Sequence, residues 1–213
     1  MDFELFEQRI PKIKNLPLPG QASHHKMAPK ARLKEMARLE RIKTNPKKAG
    51  VMALFYPNGQ GQTHLLCILR KTYPGIHSNQ VGLPGGKQEP ADRDLAHTAL
   101  RETHEEVGVP QEAVELVRSL SEIYIPPSNY QVHPFLGLYR RPGPFVRQES
   151  EVARILQVPL SDFLSDANVV KRKLSTSYAH EMEVPAFKLN GYIVWGATAM
   201  MLNEIKVMLK QVI

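Results

Sequence analysis

The sequence predicts an α/β fold in which helices pack on a mixed β-sheet. Short strand-like runs occur both before and after a central helical pattern near residue 100, and an apolar helical pattern closes the chain at residues 193–212. Strands on both sides of a helix, followed by a terminal helix, are typical of layered helix–sheet domains. A chain of 213 residues is also long enough to bury a substantial core.

Residues 1–48 are predicted to form a basic extension, mostly helical or irregular, ahead of a main domain at residues 49–213. Four prolines and a glycine among the first 30 residues exclude long helices there. A short helix is then predicted at Ala31–Ile42, because apolar residues recur every three positions between Lys and Arg.

The positive charge is confined to this first segment. Residues 1–50 contain twelve Lys and Arg against five Asp and Glu, whereas the remaining residues contain sixteen of each. A basic arm can bind nucleic acid. Its only aromatic residues are Phe3 and Phe6, so it lacks interleaved stacking platforms, and we expect a solvated helix face with no nucleic-acid partner.

Four runs predict strands. Val51–Tyr56 and His64–Leu69 flank a turn sequence at residues 57–62, which favours a hairpin. Val81–Gly86 predicts a short strand that runs into a glycine pair, and Val132–Tyr139 predicts another strand.

Two helices follow from capping and periodicity. Asp92 or Asp94 is expected to begin a central helix that ends near Gly108, because glycine supplies the left-handed residue after a helix. Ile193–Val212 is predicted to be a helix with an apolar side formed by Trp195, Ala199, Leu202, Ile205 and Leu209.

Three glutamates are the candidate functional residues of the central helix. Glu102, Glu105 and Glu106 are spaced i, i+3 and i+4 and therefore share one helix face. Adjacent carboxylates repel one another unless a cation offsets them, and oxygen ligands of this type suit Mg²⁺ or Mn²⁺. The pair Gly85-Gly86 lets the backbone approach closely. Acidic residues on a helix are usually a solvated surface, but their combination with the glycine pair is more specific.

Arg101 has two candidate roles in this stretch. It lies four residues before Glu105 and can pair with it along the helix. It can also reach back to an acidic residue of the preceding loop and hold that loop against the helix.

The stretch from Gly85 to Val109 resembles the signature of the Nudix hydrolases, in which a glycine and an acidic residue precede Arg-Glu-x-x-Glu-Glu-x-Gly and an aliphatic residue. Residues 101–109 match the second half throughout. The interval from the glycine to Arg101 is one residue longer than usual, and the loop acid is matched by Asp92 or Glu89.

The longer loop resembles one branch of that family, the coenzyme A pyrophosphatases. The similar residues are Leu83–Asp92 and Thr98–Glu102, with Leu69–Lys71 and His77–Val81 upstream, although Leu83 stands where the branch has phenylalanine. The resemblance covers residues 49–213. It implies a Nudix-like α/β/α sandwich and hydrolysis of coenzyme A or its thioesters to 3′,5′-ADP and 4′-phosphopantetheine.

The resemblance also implies a site. Glu102, Glu105, Glu106 and the Gly86 carbonyl would bind Mg²⁺ or Mn²⁺, with Glu105 acting as ligand or base. Arg101 would assist catalysis, and Glu151, or else Glu149, would be a further base or ligand. The expected substrate-binding residues are Arg70, Lys71, His77 and Lys87.

The remaining expectations concern partners and location. We expect a small-molecule diphosphate as the partner and, on family grounds, a homodimer. No apolar run of membrane-spanning length and no N-terminal signal segment is present, so no membrane partner and a cytoplasmic location are expected. Cys67 is the only cysteine, which excludes an internal disulfide. Two alternatives stay open: hydrolysis of another nucleoside diphosphate compound such as ADP-ribose, and a non-catalytic binding or regulatory module.

Overall fold

The computed structural model describes residues 1–75, 77–174 and 181–213. Within these ranges the α-helices are α1 Phe3–Arg9, α2 Gly20–His24, α3 Leu33–Ile42, α4 Leu95–Val107, α5 Leu160–Leu164 and α6 Gly196–Leu209. The strands are β1 Lys47–Pro57, β2 Thr63–Arg70, β3 Val81–Gly82, β4 Gly85–Lys87, β5 Glu115–Ser119, β6 Ile123–Ile125, β7 Tyr130–Leu138, β8 Val152–Pro159, β9 Val169–Leu174, β10 Met182–Leu189 and β11 Tyr192–Val194.

The main sheet is mixed, as predicted. Among the described residues it has eight strands, with β1 paired in parallel to β7 and antiparallel to β2 and β4. Strand β8 extends the sheet beyond β2, while β5 and β6 both pair with β7. Strands β9, β10 and β11 form a separate antiparallel sheet.

Strand β1 is buried on both faces, which explains its continuous apolar run. Residues 49–56 are all buried, as expected for a central strand that is covered on both sides. The predicted hairpin is confirmed, since Phe55 lies opposite Leu65 in antiparallel register.

The predicted strand at residues 81–86 is instead two strands. Val81–Gly82 pairs with β2, and Gly85–Lys87 pairs with β1. Pro84 separates them, because proline has no N–H to donate to a ladder. Its carbonyl still accepts a hydrogen bond from Met52 N at 2.8 Å, which holds the turn against the central strand.

The central helix α4 has the predicted ends. Of the two candidate caps, Asp94 is the one that accepts a hydrogen bond from His97 N at 2.7 Å. Gly108 follows the helix with φ +74°, in the left-handed region that glycine adopts without strain.

The closing helix was predicted too long. Ile193 and Val194 belong to β11, where Ile193 pairs with Lys188 of β10. Trp195 has an extended backbone just before α6, so it does not lie on the apolar side of the helix. Helical periodicity continues by chance into the strand residues, and the pairing with β10 decides their conformation.

The N-terminal segment contributes to the core of the fold. Phe3, Phe6, Ile10 and Ile13 are buried in the same apolar cluster as Phe55 of β1. The helical or irregular extension is therefore confirmed in conformation, and its apolar side chains pack on the sheet. The boundary between 1–48 and 49–213 stays a prediction.

A buried polar cluster joins this segment to α6. The Glu204 carboxylate is fully buried and lies 3.0 Å from His24 Nε2. It also accepts hydrogen bonds from Ser121 Oγ at 2.6 Å and Gly20 N at 3.2 Å. Beside it, Asn203 donates to the Ser23 carbonyl at 2.9 Å. Burial works to raise the pKa of Glu204, but these hydrogen bonds outweigh it and hold that pKa below its usual value.

Two smaller features follow the sequence. Cys67 is free and buried in β2, and burial raises the pKa of its thiol to about 12. No helix in the described part of the chain has the length and apolar character needed to cross a membrane.

Candidate active site

A cavity of about 590 Å³ lies between α4, the β3–β4 turn, α6 and the N-terminal segment. Its volume falls in the range that encloses a small-molecule ligand, roughly 300–1,000 Å³. The predicted site residues that line it are Arg70, His77, Gly86, Lys87, Glu102, Glu106 and Glu151. The structure thus brings together residues from several separate parts of the sequence.

Glu106 is the most deeply buried carboxylate of the cavity. Its side chain is 2% exposed, Oε2 accepts a hydrogen bond from Gly85 N at 2.8 Å, and Oε1 lies 3.7 Å from Arg70 Nη1. Burial raises the pKa of Glu106 to about 7, although Arg70 and the Gly85 N–H oppose the rise. The anionic form is therefore under-compensated by the protein alone.

Glu102 lies one helical turn before Glu106 and against the glycine pair. Its side chain is 14% exposed, and burial raises its pKa, with Arg101 acting in the opposite direction. A Cβ atom at Gly86 would lie 2.4 Å from the Glu102 carboxylate. Only glycine permits this approach of the backbone to the carboxylate.

Glu105 does not line the cavity. Its side chain is 50% exposed and lies on the flank of α4, where Arg101 Nη1 contacts its carboxylate at 2.8 Å. The i, i+3, i+4 spacing places Glu102 and Glu106 almost in line along the helix and turns Glu105 away from them. To act at the cavity, Glu105 would have to leave Arg101 and change rotamer.

Arg101 takes both roles that the sequence left open. Besides Glu105, it binds the buried Asp92 at 3.0 Å from both Nε and Nη2, and it donates to the Lys87 carbonyl. The loop acid is therefore Asp92 rather than Glu89. Hydrogen bonds from Arg101 hold the pKa of the Asp92 carboxyl well below its usual value. These contacts tie the extended loop to α4.

The later acidic residue at the cavity is Glu151. Its charge contributes to the raised pKa of both Glu102 and Glu106, so it lies within electrostatic range of both. Glu149 instead contacts Arg147 at 3.2 Å and is exposed outside the cavity lining. Of the two alternatives, the structure therefore brings Glu151 to the carboxylate end.

The four expected substrate-binding residues are not equally placed. Arg70 lines the cavity and donates to the Gly85 carbonyl at 2.9 Å, and Lys87 lines it beside the glycine pair. His77 also lines it and lies 3.0 Å from Ser128 Oγ, and burial lowers its pKa. Lys71 is exposed and lies outside the lining, so the structure does not bring it to the cavity.

The donor set was tested against the implied metal. Among the described residues, no three carboxylate, imidazole or thiolate groups are close enough, as they stand, to hold an ion together. Glu102 and Glu106 nevertheless supply hard oxygen donors at one end of the cavity, and their raised pKa values show that a positive charge is needed there. Glu102 and Glu106 are therefore the expected ligands whose donor chemistry and position at the cavity suit a divalent cation, whereas Glu105 would have to change rotamer to reach it.

Comparison with known proteins agrees with the signature. The NUDIX domain model matches residues 46–178 of this chain, which is more than half of its length. The chain belongs to the Nudix family. Its central helix, with Glu102 and Glu106 directed to the cavity, is the part that carries the family resemblance.

Curated relatives in plants and bacteria share this domain. The chain is 30% identical over 161 residues to Nudix hydrolase 15, mitochondrial, of Arabidopsis thaliana, covering 72% of this chain and 55% of that protein. It is 32% identical over 141 residues to the uncharacterized Nudix hydrolase NudL of Yersinia pestis, covering 66% of this chain and 70% of that protein. The chain thus spans about half the length of the plant relative.

A solved structure in the same family also matches this Nudix chain. It is a NUDIX hydrolase from Alicyclobacillus acidocaldarius, 20% identical, with a TM-score of 0.49, covering 57% of this chain and 82% of that one. The cytoplasmic location and the homodimer stay predictions.

Sequence reasoning missed one whole side of the cavity. Met27, Pro29, Arg32 and Met36 of the N-terminal segment line it, together with Trp195 and the first turns of α6. The four residues of the N-terminal segment belong to no motif, whereas Trp195–Ala199 resemble the same branch of the family without a predicted place at the site. Their recognition depends on the packing of the first segment on α6, which no spacing within either segment encodes.

Proposed function

We propose that this protein is a Mg²⁺- or Mn²⁺-dependent hydrolase of a diphosphate linkage, with coenzyme A or a coenzyme A thioester as substrate. The observation that carries the proposal is the pair of desolvated carboxylates, Glu102 and Glu106, at one end of an enclosed cavity. Such a pair is electrostatically unfavourable on its own and becomes favourable when a cation binds.

Each residue then has a defined task. Glu102 and Glu106 would hold the cation, which neutralises the diphosphate and lowers the pKa of a bound water. Glu151, on the later loop, is the candidate to accept a proton from the attacking water. Glu105 is the alternative base or a further ligand. Arg101 and Asp92 keep the glycine turn and α4 in fixed relation, which positions the acidic side chains.

Basic residues at the cavity supply the contacts that a phosphate-rich ligand needs. Arg70 and Lys87 lie at the same end as the carboxylates, and His77 lies along the wall. A guanidinium binds phosphate oxygens in a bidentate manner, so Arg70 is the stronger candidate. Because Arg70 also contacts the Gly85 carbonyl, it would couple ligand binding to the glycine turn.

Two alternatives compete with the coenzyme A assignment. The first is another nucleoside diphosphate compound such as ADP-ribose, which requires the same carboxylates. The second is a non-catalytic module that binds such a ligand without cleaving it. The retained carboxylates favour catalysis over the module.

A substrate panel tests the proposal. Coenzyme A, 3′-dephospho-coenzyme A and ADP-ribose would be incubated with Mg²⁺ or Mn²⁺, and the products identified by mass. We expect coenzyme A to give 3′,5′-ADP and 4′-phosphopantetheine faster than the dephospho form is cleaved. Equal rates would show that the 3′-phosphate is not recognised and would argue against coenzyme A as the preferred substrate. Binding without cleavage of any compound would favour the module.

A further inference from the structure

Methionines are concentrated along the part of the cavity that the N-terminal segment, α6 and the start of β10 form. Five of the eight methionines in the sequence line it, and we call this set the methionine limb: Met27, Met36, Met182, Met200 and Met201. Met27, Met200 and Met201 are buried and belong to the main apolar cluster, so they join that core to the cavity wall. Met52 and Met208 are fully buried and do not line the cavity.

The limb is built by three separate parts of the chain. Met27 lies in the short turn after α2, and Met36 lies on α3. Met200 and Met201 lie on α6, and Met182 begins β10. The turn at His25–Met27 packs against both α6 and β10, so the three parts enclose the limb together.

The remaining lining of the limb is mostly apolar, and its charged member is the buried Arg32, whose Nε contacts the Glu35 carboxylate at 3.1 Å. Ile123, Val132 and Val184 are buried, and their side chains border the same space as Tyr130. This composition contrasts with the lining at α4 and the glycine turn, where carboxylates and basic side chains border the cavity. One cavity is thus lined by a charged set of side chains and by an apolar set.

Buried polar contacts hold the parts of the limb together. The buried contact between His24 and Glu204 holds α2 to α6, and Asn203 holds Ser23 in the same way. These contacts place Met27 opposite Met200 and Met201. A preformed apolar wall lowers the entropy cost of binding a flexible group.

We propose that the methionine limb binds a flexible apolar substituent of the substrate, such as a hydrocarbon chain, while the diphosphate lies at Glu102 and Glu106. The thioether side chain is unbranched and polarizable, so a wall of methionines adapts to occupants of different length and shape. The N-terminal segment is then part of the substrate site and contributes to specificity. This inference rests on the proposed function, because it assigns a binding place to the part of the substrate that lies far from the diphosphate.

Trp195 provides a direct measurement of occupancy. It is the only tryptophan in the sequence, it is half-buried, and it lines the cavity. Its fluorescence would be titrated with acetyl-, butyryl-, hexanoyl- and octanoyl-pantetheine in the presence of EDTA, where no hydrolysis occurs. We expect the affinity to increase by about threefold per added methylene until the limb is full. An affinity that does not change with chain length would overturn the inference.

A matched pair of variants localises the effect. Met36→Lys places an ammonium group in the limb, whereas Ala37→Lys adds the same charge to the exposed side of the same helix. Neither side chain is fully buried, so both variants should fold, which circular dichroism would check. We expect Met36→Lys to weaken octanoyl-pantetheine binding at least tenfold and Ala37→Lys to leave it unchanged. Equal effects of the two variants would contradict the proposal.

The readout separates the two proposals. Chain-length-dependent binding without hydrolysis of any coenzyme A compound would keep the apolar limb and reject the proposed reaction. Hydrolysis of coenzyme A without any chain-length dependence of binding or of kcat/KM would keep the reaction and reject the limb.

Discussion

The two ends of the cavity are built in different ways. At the carboxylate end, the glycine pair, Glu102 and Glu106 come from one stretch of sequence, so local spacing determines their geometry, and Arg70 and Glu151 join them from other strands and loops. The methionine limb joins residues as distant as Met27 and Met200, which only tertiary packing brings together. Chemistry that depends on local spacing can be recognised in a sequence, whereas a specificity surface assembled across the chain cannot.

The two ends also differ in their energetic cost. Glu102 and Glu106 are buried with too little positive charge around them, and their raised pKa values express that cost. The opposite wall is held by a satisfied cluster, in which Glu204 has a lowered pKa. We therefore expect substitutions at the carboxylate end to reduce activity more than stability. Substitutions in the Glu204 cluster should reduce stability more than activity.

The largest effect is expected for Glu106→Gln. Turnover should fall by about a thousandfold, because a group that stabilises charge in the transition state typically contributes a factor of this size. The thermal stabilisation that Mg²⁺ or Mn²⁺ gives to the wild type should also disappear. Steady-state kinetics and thermal unfolding with and without metal would measure both. Glu112→Gln, an exposed change just beyond α4, is the control and should alter neither.

The same variant should not lose stability in the absence of metal. A carboxyl whose folded pKa is raised, here to about 7, contributes stability below its unfolded pKa of 4.5, and loses it as pH rises through 7. Removing the charge at pH 8 should therefore leave the free energy of unfolding unchanged or increase it. A strongly destabilised Glu106→Gln protein would show that the carboxylate is compensated in a way that the structure does not show.

The second largest effect is expected at Asp92. Its carboxylate is fully buried and bound to Arg101 through two nitrogens, so Asp92→Asn should reduce the free energy of unfolding by about 3 kcal/mol. Turnover should fall as well, since Arg101 would no longer hold the glycine turn. Asp94→Asn in the same loop is the matched control, because asparagine caps helices as well as aspartate. Chemical denaturation of both variants would measure the free energy of unfolding. An equal decrease in the two variants would argue against a stabilising role of the Asp92–Arg101 ion pair.

The third effect concerns the cluster that holds the N-terminal segment. Glu204→Ala leaves Ser121, Gly20 and His24 without their acceptor and should cost about 2 kcal/mol of stability. Because the folded pKa of Glu204 is lowered, its contribution is present above the unfolded value of 4.5 and is lost as pH falls through the folded pKa. Wild-type stability should therefore decline below pH 4.5 more steeply than that of Glu204→Gln. Denaturation at pH 7 and pH 4 would measure this.

The surface pair Lys171–Glu183 provides the control for that comparison. Both side chains are more than half exposed, so Glu183→Gln should change stability by less than about 0.5 kcal/mol at either pH. If Glu204→Ala were equally mild, the N-terminal segment would be held by its apolar contacts alone.

The features that the sequence predicts correctly are those that depend on local spacing. The hairpin, the central helix and the cluster of Glu102 and Glu106 were predictable, because each depends on neighbours within a few residues. The choice between Asp92 and Glu89 required the position of Arg101 in space. The place of Glu105 outside the cavity required knowledge of which side of α4 borders the cavity, because residues spaced i, i+3 and i+4 span a wide helix face.

The N-terminal segment contains an apolar periodicity that predicts its burial. Phe3, Phe6, Ile10 and Ile13 are spaced three or four residues apart, which is the spacing of one helical face, and all four are buried. The prolines in this region correctly exclude a long helix, but a short helix and a 3₁₀ turn keep the same face. Helix-breaking residues and helical periodicity must be considered together for such a segment.

The smallest effect is expected for the two lysines that were expected at the substrate site from the sequence. Lys87 lines the cavity beside the glycine turn, whereas Lys71 is exposed outside it. Lys87→Ala should therefore raise KM for the diphosphate substrate by up to about tenfold, the value of one charge-assisted contact, with kcat less affected. Lys71→Ala should leave KM within about twofold, because an exposed charge at a distance is screened by salt. Steady-state kinetics at constant ionic strength would measure both. A larger effect at Lys71 than at Lys87 would mean that the substrate extends out of the cavity past Lys71, and the assignment of Lys87 as a substrate contact would be wrong.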